Sequence, residues 1–243
     1  MVVSEFRYNK DSFNKYITTW KTNINQEIIN KFFIRFTYYS NKIVNKEISL
    51  SDVDTIFKDE AIIDLNCNDK SINEMQNYKE IYEKFFQLDK KRKEELSIDL
   101  IKRVHCILNQ TYSTQELIKN YDELQVTLKS LIKDVNNLQI NGNNVFEIVG
   151  YFYCWFIRNV IPYLYNDERL AMILINYILI QKKFPPIIFF ESDTEKYHLA
   201  LKHFNETDDI AEMVNFLEEE MYKTWVKNYS LRLKKLEQFL NEY

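Results

Sequence analysis

The segment Ile161-Pro162-Tyr163-Leu164-Tyr165-Asn166-Asp167-Glu168-Arg169 ends in four residues able to exchange hydrogen bonds or charge. Asn166, Asp167 and Glu168 directly precede an apolar run, which suits a helix start. Asn or Asp accepts an orphan backbone N–H there, and acids favour the positive end of the helix dipole. Arg169 beside them either pairs with Asp167 or Glu168 or keeps a site for an anion. Phosphate approaching this loop meets two negative charges. At about 5 Å and an effective dielectric of about 20, the two disfavour an anion by several kcal/mol in total.

Other chemistry-bearing residues are scattered. His105 lies on an otherwise apolar helical face and reads as a hydrogen-bonded core histidine. His198 and His203 are five apart, which matches neither the i,i+3 nor the i,i+4 spacing of a two-histidine metal site. Cys67, Cys106 and Cys154 are odd in number and lack paired metal-ligand spacing, so they read as free thiols in a reducing compartment, and no metal is expected. Tyr151, Phe152, Tyr153, Trp155 and Phe156 point several ways from one helix and fill core rather than form a stacking platform.

The elements that position these residues must be helices. Only two glycines and three prolines occur in 243 residues, too few for sheets joined by tight turns. Ser71/Glu74, Ser113/Glu116 and Ser192/Glu195 fit capping boxes, and Ser51/Asp54 is a weaker version. Reading outward from these starts gives helices at about 10–20, 24–44, 50–59, 71–89, 94–109, 113–135, 143–159, 167–183, 192–204 and 208–241. Pro185-Pro186 stops one of them. The helix after Asn166 is apolar nearly all round and belongs in the middle of a bundle. The last helix, 208–241, turns increasingly charged, and its end is expected to project as a surface for assembly.

The expectation is one all-α domain over residues 1–243, with a bundle around the helix at about 167–183 and no substantial sheet. Net charge is -4 with both signs interleaved, which disfavours nucleic acid. Lys90-Lys91-Arg92-Lys93 adjoins Glu94-Glu95 and reads as a solvated helix face. The apolar windows at Ile148 to Ile157 and Leu170 to Ile180 are too short for a bilayer, and no signal peptide begins the chain. A cytoplasmic protein without membrane contact is expected, with secretion by a signal-less route left open.

From Gly150 to Trp225 an ordered series follows: an aromatic-rich helix, the segment 161–169, the buried helix, Lys183-Phe184-Pro185-Pro186, Tyr197-His198-Leu199-Ala200-Leu201 and Asp208-Asp209-Ile210. This order resembles the Fic (Fido) family, whose members carry His-Pro-Phe-x-(Asp/Glu)-Gly-Asn-Gly-Arg before a buried helix. Val104-His105-Cys106-Ile107-Leu108 is similar to the family's Leu-His helix. Tyr39 to Asn45 followed by Ile48 to Val53 is similar to its N-terminal inhibitory-helix region, with Ser40, Val44 and Asn45 on the pattern (Ser/Thr)-x-x-x-Glu-(Gly/Asn). The likeness spans about residues 30 to 225.

What the resemblance implies is a fold whose chemistry has been removed. The family's base histidine falls on Ile161, which cannot accept a proton. Its acidic metal ligand falls on Tyr165, a poor partner for Mg²⁺. Gly-Asn-Gly, which lets backbone amides approach phosphate, falls on Asn166, Asp167 and Glu168. Pro162 and Arg169 match, and Tyr163 stands where an aromatic anchors the loop in the core. A second motif arginine falls on Met172, and the inhibitory glutamate that pairs with it falls on Val44. The stretch between His105 and Ser113 is too short for the hairpin that docks a target.

The expected function is a Fic-like pseudoenzyme that binds another protein or a small ligand without a cofactor, a second copy of the chain being one candidate partner. One alternative is a divergent transferase of AMP or another nucleotide to protein hydroxyls, using ATP or a relative with Mg²⁺ and a rearranged base at Asp167 or Glu168, with Arg169 as the residual phosphate contact. Another is an assembly module built on the C-terminal helix.

Overall fold

Every residue from Leu170 to Ile180 is buried, and Asn176 alone among them has an amide side chain. A helix with no polar face needs neighbours on all sides. A computed structural model, which describes residues 17–18, 20–42, 48–58, 68–88, 94–110, 114–137, 144–164 and 167–225, shows which neighbours these are; of 114–120 it describes the backbone only. In chain order the helices are α1 (Gln26–Lys42), α2 (Leu50–Phe57), α3 (Asp69–Phe85), α4 (Ile98–Leu108), α5 (Thr114–Asn137), α6 (Val145–Asn159), α7 (Arg169–Gln181), α8 (Thr194–Thr207) and α9 (Ala211–Trp225). Two 3-10 turns, Ile161–Tyr163 and Glu191–Asp193, interrupt the connections. Among the described residues there is no strand, and the fold is all-α.

The central helix α7 packs against α4 and α6. α6 also meets α9, which carries α8, while α1, α2 and α3 form a group joined to the rest through α3 on α4 and through Phe32 of α1 stacked on Trp225 of α9. Aromatic pairs fix these contacts: Trp20 meets Trp225 edge-on at 4.6 Å between ring centroids, and Phe33 meets Phe86 at 4.3 Å. Such pairs add directional preference to the area they bury.

The helix starts differ from expectation in which residue caps. For α2 the capping box is Ser49 with Asp52, two residues earlier than Ser51/Asp54: Ser49 Oγ accepts from the Asp52 N–H and Asp52 Oδ2 from the Ser49 N–H. Asn68 caps α3 through its side chain to the Ser71 N–H at 3.0 Å, so Ser71 is not a cap but a buried residue of the first turn. Ser97 caps α4, which begins at Ile98 rather than at 94. Ser192 lies in the 3-10 turn, and α8 begins after Asp193 without a side-chain cap. The expected final helix begins at Ala211, because Asp208 takes left-handed geometry (φ 58°) at the end of α8. Ser113, the start of the expected helix 10–20, and the charged stretch after Trp225 lie outside the described residues.

α7 ends two residues before the expected 183. Lys183 adopts φ 61°, and the Phe184 N–H donates to the Leu179 carbonyl at 2.7 Å while the Lys183 N–H donates to that of Ile180 at 3.1 Å. These are the two hydrogen bonds of a Schellman turn, with lysine where glycine is usual. Pro185-Pro186 then leads into a buried extended segment to Phe190. Its backbone has no sheet to join, so side chains satisfy it. Asn176 both donates to and accepts from Ile187, Thr224 Oγ1 accepts the Ile188 N–H, Glu220 Oε2 accepts the Phe190 N–H at 2.7 Å, and Trp225 Nε1 donates to the Pro186 carbonyl.

Candidate functional site

The loop between α6 and α7 is anchored by Ile161 and Leu164, both buried, whereas Pro162 and Tyr163 face outward. Tyr163, expected to anchor the loop in the core, is 54% exposed; the 3-10 turn rotates the neighbouring aliphatic residues inward instead. Tyr165 and Asn166 lie outside the described residues, as do Val44 and Asn45. Met172, at the second arginine position of the resemblance, is buried in α7.

Arg169 opens α7, and its guanidinium is held in two-pronged fashion by Asp167: Nε donates to Oδ1 at 2.8 Å and Nη2 to Oδ2 at 2.9 Å. The Arg169 backbone N–H donates to the same Oδ1 at 3.1 Å. Asp167, one residue before the cap position Glu168, thus accepts the first backbone N–H of α7 and is the counter-ion of its first side chain, a planar fork meeting a planar carboxylate. Arg169 Nη1 further reaches Asn41 Oδ1 at 3.5 Å and lies 3.7 Å from Glu74. Burial disfavours the guanidinium charge, but the Asp167 hydrogen bond and the charges around it win and raise its pKa.

Glu168 does not share in this pairing. The Tyr197 hydroxyl donates to Glu168 Oε2 at 2.5 Å, and the Tyr153 and Tyr197 hydroxyls are joined at 2.9 Å. Both tyrosines are buried, and both pKa values are raised, first by that burial. The two acids of the loop are therefore separately engaged. One is neutralised by a cation and the other is held by a phenol from α8, rather than both standing open to solvent.

Beneath the loop lies a buried polar layer. Asn41 and Ser40, in the last turn of α1, are both buried, and Asn41 Nδ2 donates to the Thr37 carbonyl at 2.9 Å. Ser40, at the inhibitory-helix position of the resemblance, thus belongs to the helix that touches Arg169 through the next residue. His105 is completely buried, with Nδ1 3.1 Å from the Tyr121 hydroxyl. The expected core histidine is hydrogen-bonded on one side only, because Nε2 has no partner. Burial pushes its pKa down to about 4, against the pull of the Asp167 charge. The Tyr78 hydroxyl is also fully buried, with Ser40 beside it, and burial raises its pKa well above the ordinary tyrosine value.

Asn41, Glu74, Tyr78, Tyr153 and Tyr197 are the parts of this site that sequence reasoning did not assign to it. Glu74 had a local explanation as a capping partner of Ser71, Tyr153 was covered by the expectation of core packing, Tyr197 stood in the series that resembles the family, and Tyr78 had no reading. A buried asparagine on the apolar face of α1 was the one available signal. His198 is exposed and His203 lies 3.6 Å from Asp209, both apart from the loop. Among the described residues no group of three His, Cys, Asp or Glu side chains is placed to hold a metal. No described helix is long and apolar enough to cross a membrane.

A buried central helix, preceded by a loop that ends in its first arginine and ringed by helices, is the arrangement of Fic proteins, and the chain has a Fic-like fold. It superposes on the crystal structure of a Fic domain-containing signaling protein from Bacteroides thetaiotaomicron with a TM-score of 0.68 at 17% identity, covering 87% of this chain and 94% of that one. A segment of Fic-1 from C. elegans gives a TM-score of 0.66 at 13% identity, covering 96% of this chain and 71% of that one. No family model matches the sequence, and neither does any curated protein.

Proposed function

We propose that this chain is a Fic-like protein that has lost nucleotide transfer and works by binding another protein, with no cofactor. The observation that carries the reading is the closed Asp167–Arg169 pair: the one arginine retained from the motif is saturated by a carboxylate of its own loop. The buried Ile161 supports it, since the position that holds the base in the resemblance offers neither a proton acceptor nor access to solvent. The scaffold is kept while the reacting groups are gone, and a folded surface without chemistry acts through contacts. A second copy of the chain is one candidate partner, and nucleic acid is disfavoured by the net charge of -4.

The test is incubation of the purified chain with labelled ATP, GTP, CTP and UTP, Mg²⁺ and host proteins. The expected result is no transfer above a chain-free control and co-purification of a defined protein partner. Transfer that requires Asp167 or Glu168 overturns the reading in favour of a divergent transferase. One observation favours that second reading: the Tyr153–Tyr197 pair holds Glu168 in a fixed place, as a base needs. Abolition of labelling by Glu168→Ala would establish it.

A further inference from the structure

We propose that the cleft between α4 and α5 is a docking site for an acidic segment of a protein partner, one that carries carboxylates around an apolar anchor. The proposal rests on the reading of the chain as a protein-binding scaffold and adds where the partner binds and what its contact segment is made of. The cleft has a volume of about 400 Å³. Leu96 and Ile132, both buried, and the half-buried Ile98 give it an apolar lining, and Lys102, Lys129 and Lys133 stand around it.

Helical spacing explains why the lysines converge. Lys129 and Lys133 are four residues apart on α5 and so share one side of it, with Ile132 next to them, while Lys102 meets them from the second turn of α4. The Asn136 side chain donates to the Leu96 carbonyl at 2.9 Å, which fastens the chain before α4 to the end of α5 and holds the two walls together.

Like charges at this spacing repel, and a third ammonium across the cleft adds to the repulsion. The nearby acids offset it only in part. Asp99 is the one carboxylate of the lining, and Asp122 Oδ1, on a side chain 65% exposed, lies 3.9 Å from Lys102 Nζ. Among the described residues neither Lys129 nor Lys133 has an ion pair. A chain of net charge -4 thus gathers three lysines against one aspartate around an apolar hollow. Carboxylates on a partner relieve that repulsion and orient the partner, and an apolar residue entering between the lysine stems removes its surface from water. Lysine suits this role better than the grip on one compact oxyanion. Its ammonium is a point charge on a flexible stem and lacks the planar fork of arginine, so three of them match carboxylates spread along a peptide.

The cleft is separate from the loop at Arg169. The Tyr177 hydroxyl and the Gln181 amide, toward the end of α7, both donate to the Glu94 carbonyl, two residues before Leu96. The cleft therefore opens near the end of the central helix opposite to Arg169.

Fluorescence anisotropy of the full chain with the labelled peptide Glu-Glu-Leu-Glu-Glu-Leu-Glu-Glu tests this. The expected result is saturable binding at about 0.05 M salt that weakens at about 0.3 M salt. A peptide with serine in place of both leucines should bind at least about fivefold more weakly. Lys129→Glu combined with Lys133→Glu should weaken binding of the first peptide at least about tenfold. Both lysines are exposed, so the melting temperature should stay near the native one. Absence of binding by the native chain, or binding that the paired glutamates leave unchanged, overturns the proposal. So does tighter binding of labelled oligouridylate than of the peptide, since that assigns the lysines to phosphates. Should the glutamate pair unfold, Lys129→Gln with Lys133→Gln removes the charge alone, and a folded glutamine pair that binds like the native chain overturns it equally. Nucleotide transfer by the native chain would end the inactive reading and leave peptide binding at this cleft standing. A partner that co-purifies equally with the glutamate pair would keep that reading and overturn this surface, so the two failures are distinguishable.

Discussion

Ile161 is packed into the core with 3% of its surface exposed, so a histidine placed there loses water and gains no evident partner. Ile161→His is expected to cost about 1–3 kcal/mol of stability and to confer no nucleotide transfer, read by thermal melting and by a labelled-nucleotide assay. Transfer by that variant would mean the loop is one residue from activity. Arg169 makes a second case. Its removal by Arg169→Met leaves the Asp167 and Glu74 carboxylates without their cation, and the expected loss is on the order of 3 kcal/mol in urea unfolding. Arg169→Lys keeps the charge but cannot grip Asp167 with two N–H groups, so it should fall between native and Met. Arg169 and Ile161 were legible from position in the motif alone. Asn41 and Tyr78 were not, since they reach the loop from α1 and α3 across more than 80 residues of sequence, a distance over which local pattern carries no information.

Among the elements, α7 was the most legible, because a helix apolar on every face has one possible place in a bundle. Its ends were less so. Serine three residues before an acid suggests a cap at several positions, but which one caps depends on where the chain enters the helix. At Asn68 the entering backbone is extended, so Asn68 takes the cap and Ser71 is buried in the first turn. The Schellman turn after α7 escaped notice because its left-handed residue is Lys183 and not glycine. That geometry costs an L-residue about 1–2 kcal/mol, partly offset in glycine by a more flexible unfolded chain. Lys183→Gly should therefore raise stability by up to about 1 kcal/mol, while Lys183→Val should lower it by at least as much, since branching at Cβ worsens the left-handed clash. Equal melting temperatures for glycine and valine at this position would show that the turn does not hold the geometry described.

At the scale of the whole molecule, the extended segment before Phe190 is tied to α9 by Glu220, and the fate of that tie depends on pH. Glu220 is completely buried, and among the described residues Lys223 is its only cationic partner, at 3.2 Å. The same ammonium lies 2.6 Å from Asp193 and 3.2 Å from Glu219, which Lys196 also approaches, so Glu220 shares its cation with two other carboxylates. Burial consequently dominates at Glu220 and pushes its pKa up to about 8, against the Phe190 N–H and the Lys223 charge. Asp193 moves the other way: burial raises it, but hydrogen bonds from Lys223 and Ser192 overcome that and hold it below the usual range. Their effects on stability oppose each other. The folded chain holds a proton on Glu220 that the unfolded chain releases above about pH 4.5, so stability from this group falls as pH rises from there through about 8. Asp193 contributes stability that is lost as pH falls below the ordinary aspartate value, and buried His105, whose pKa is pushed down to about 4, contributes stability that is lost as pH falls below about 6.5, so the Glu220 effect stands alone only above that pH. The melting temperature of the native chain should drop by a few degrees between about pH 6.5 and about pH 8. Glu220→Gln, which keeps an acceptor for the Phe190 N–H and cannot ionise, should flatten that slope while leaving the loss at low pH. A slope unchanged in the glutamine variant would place the titrating group elsewhere, and the clamp on the extended segment would then rest on Asn176, Thr224 and Trp225 alone.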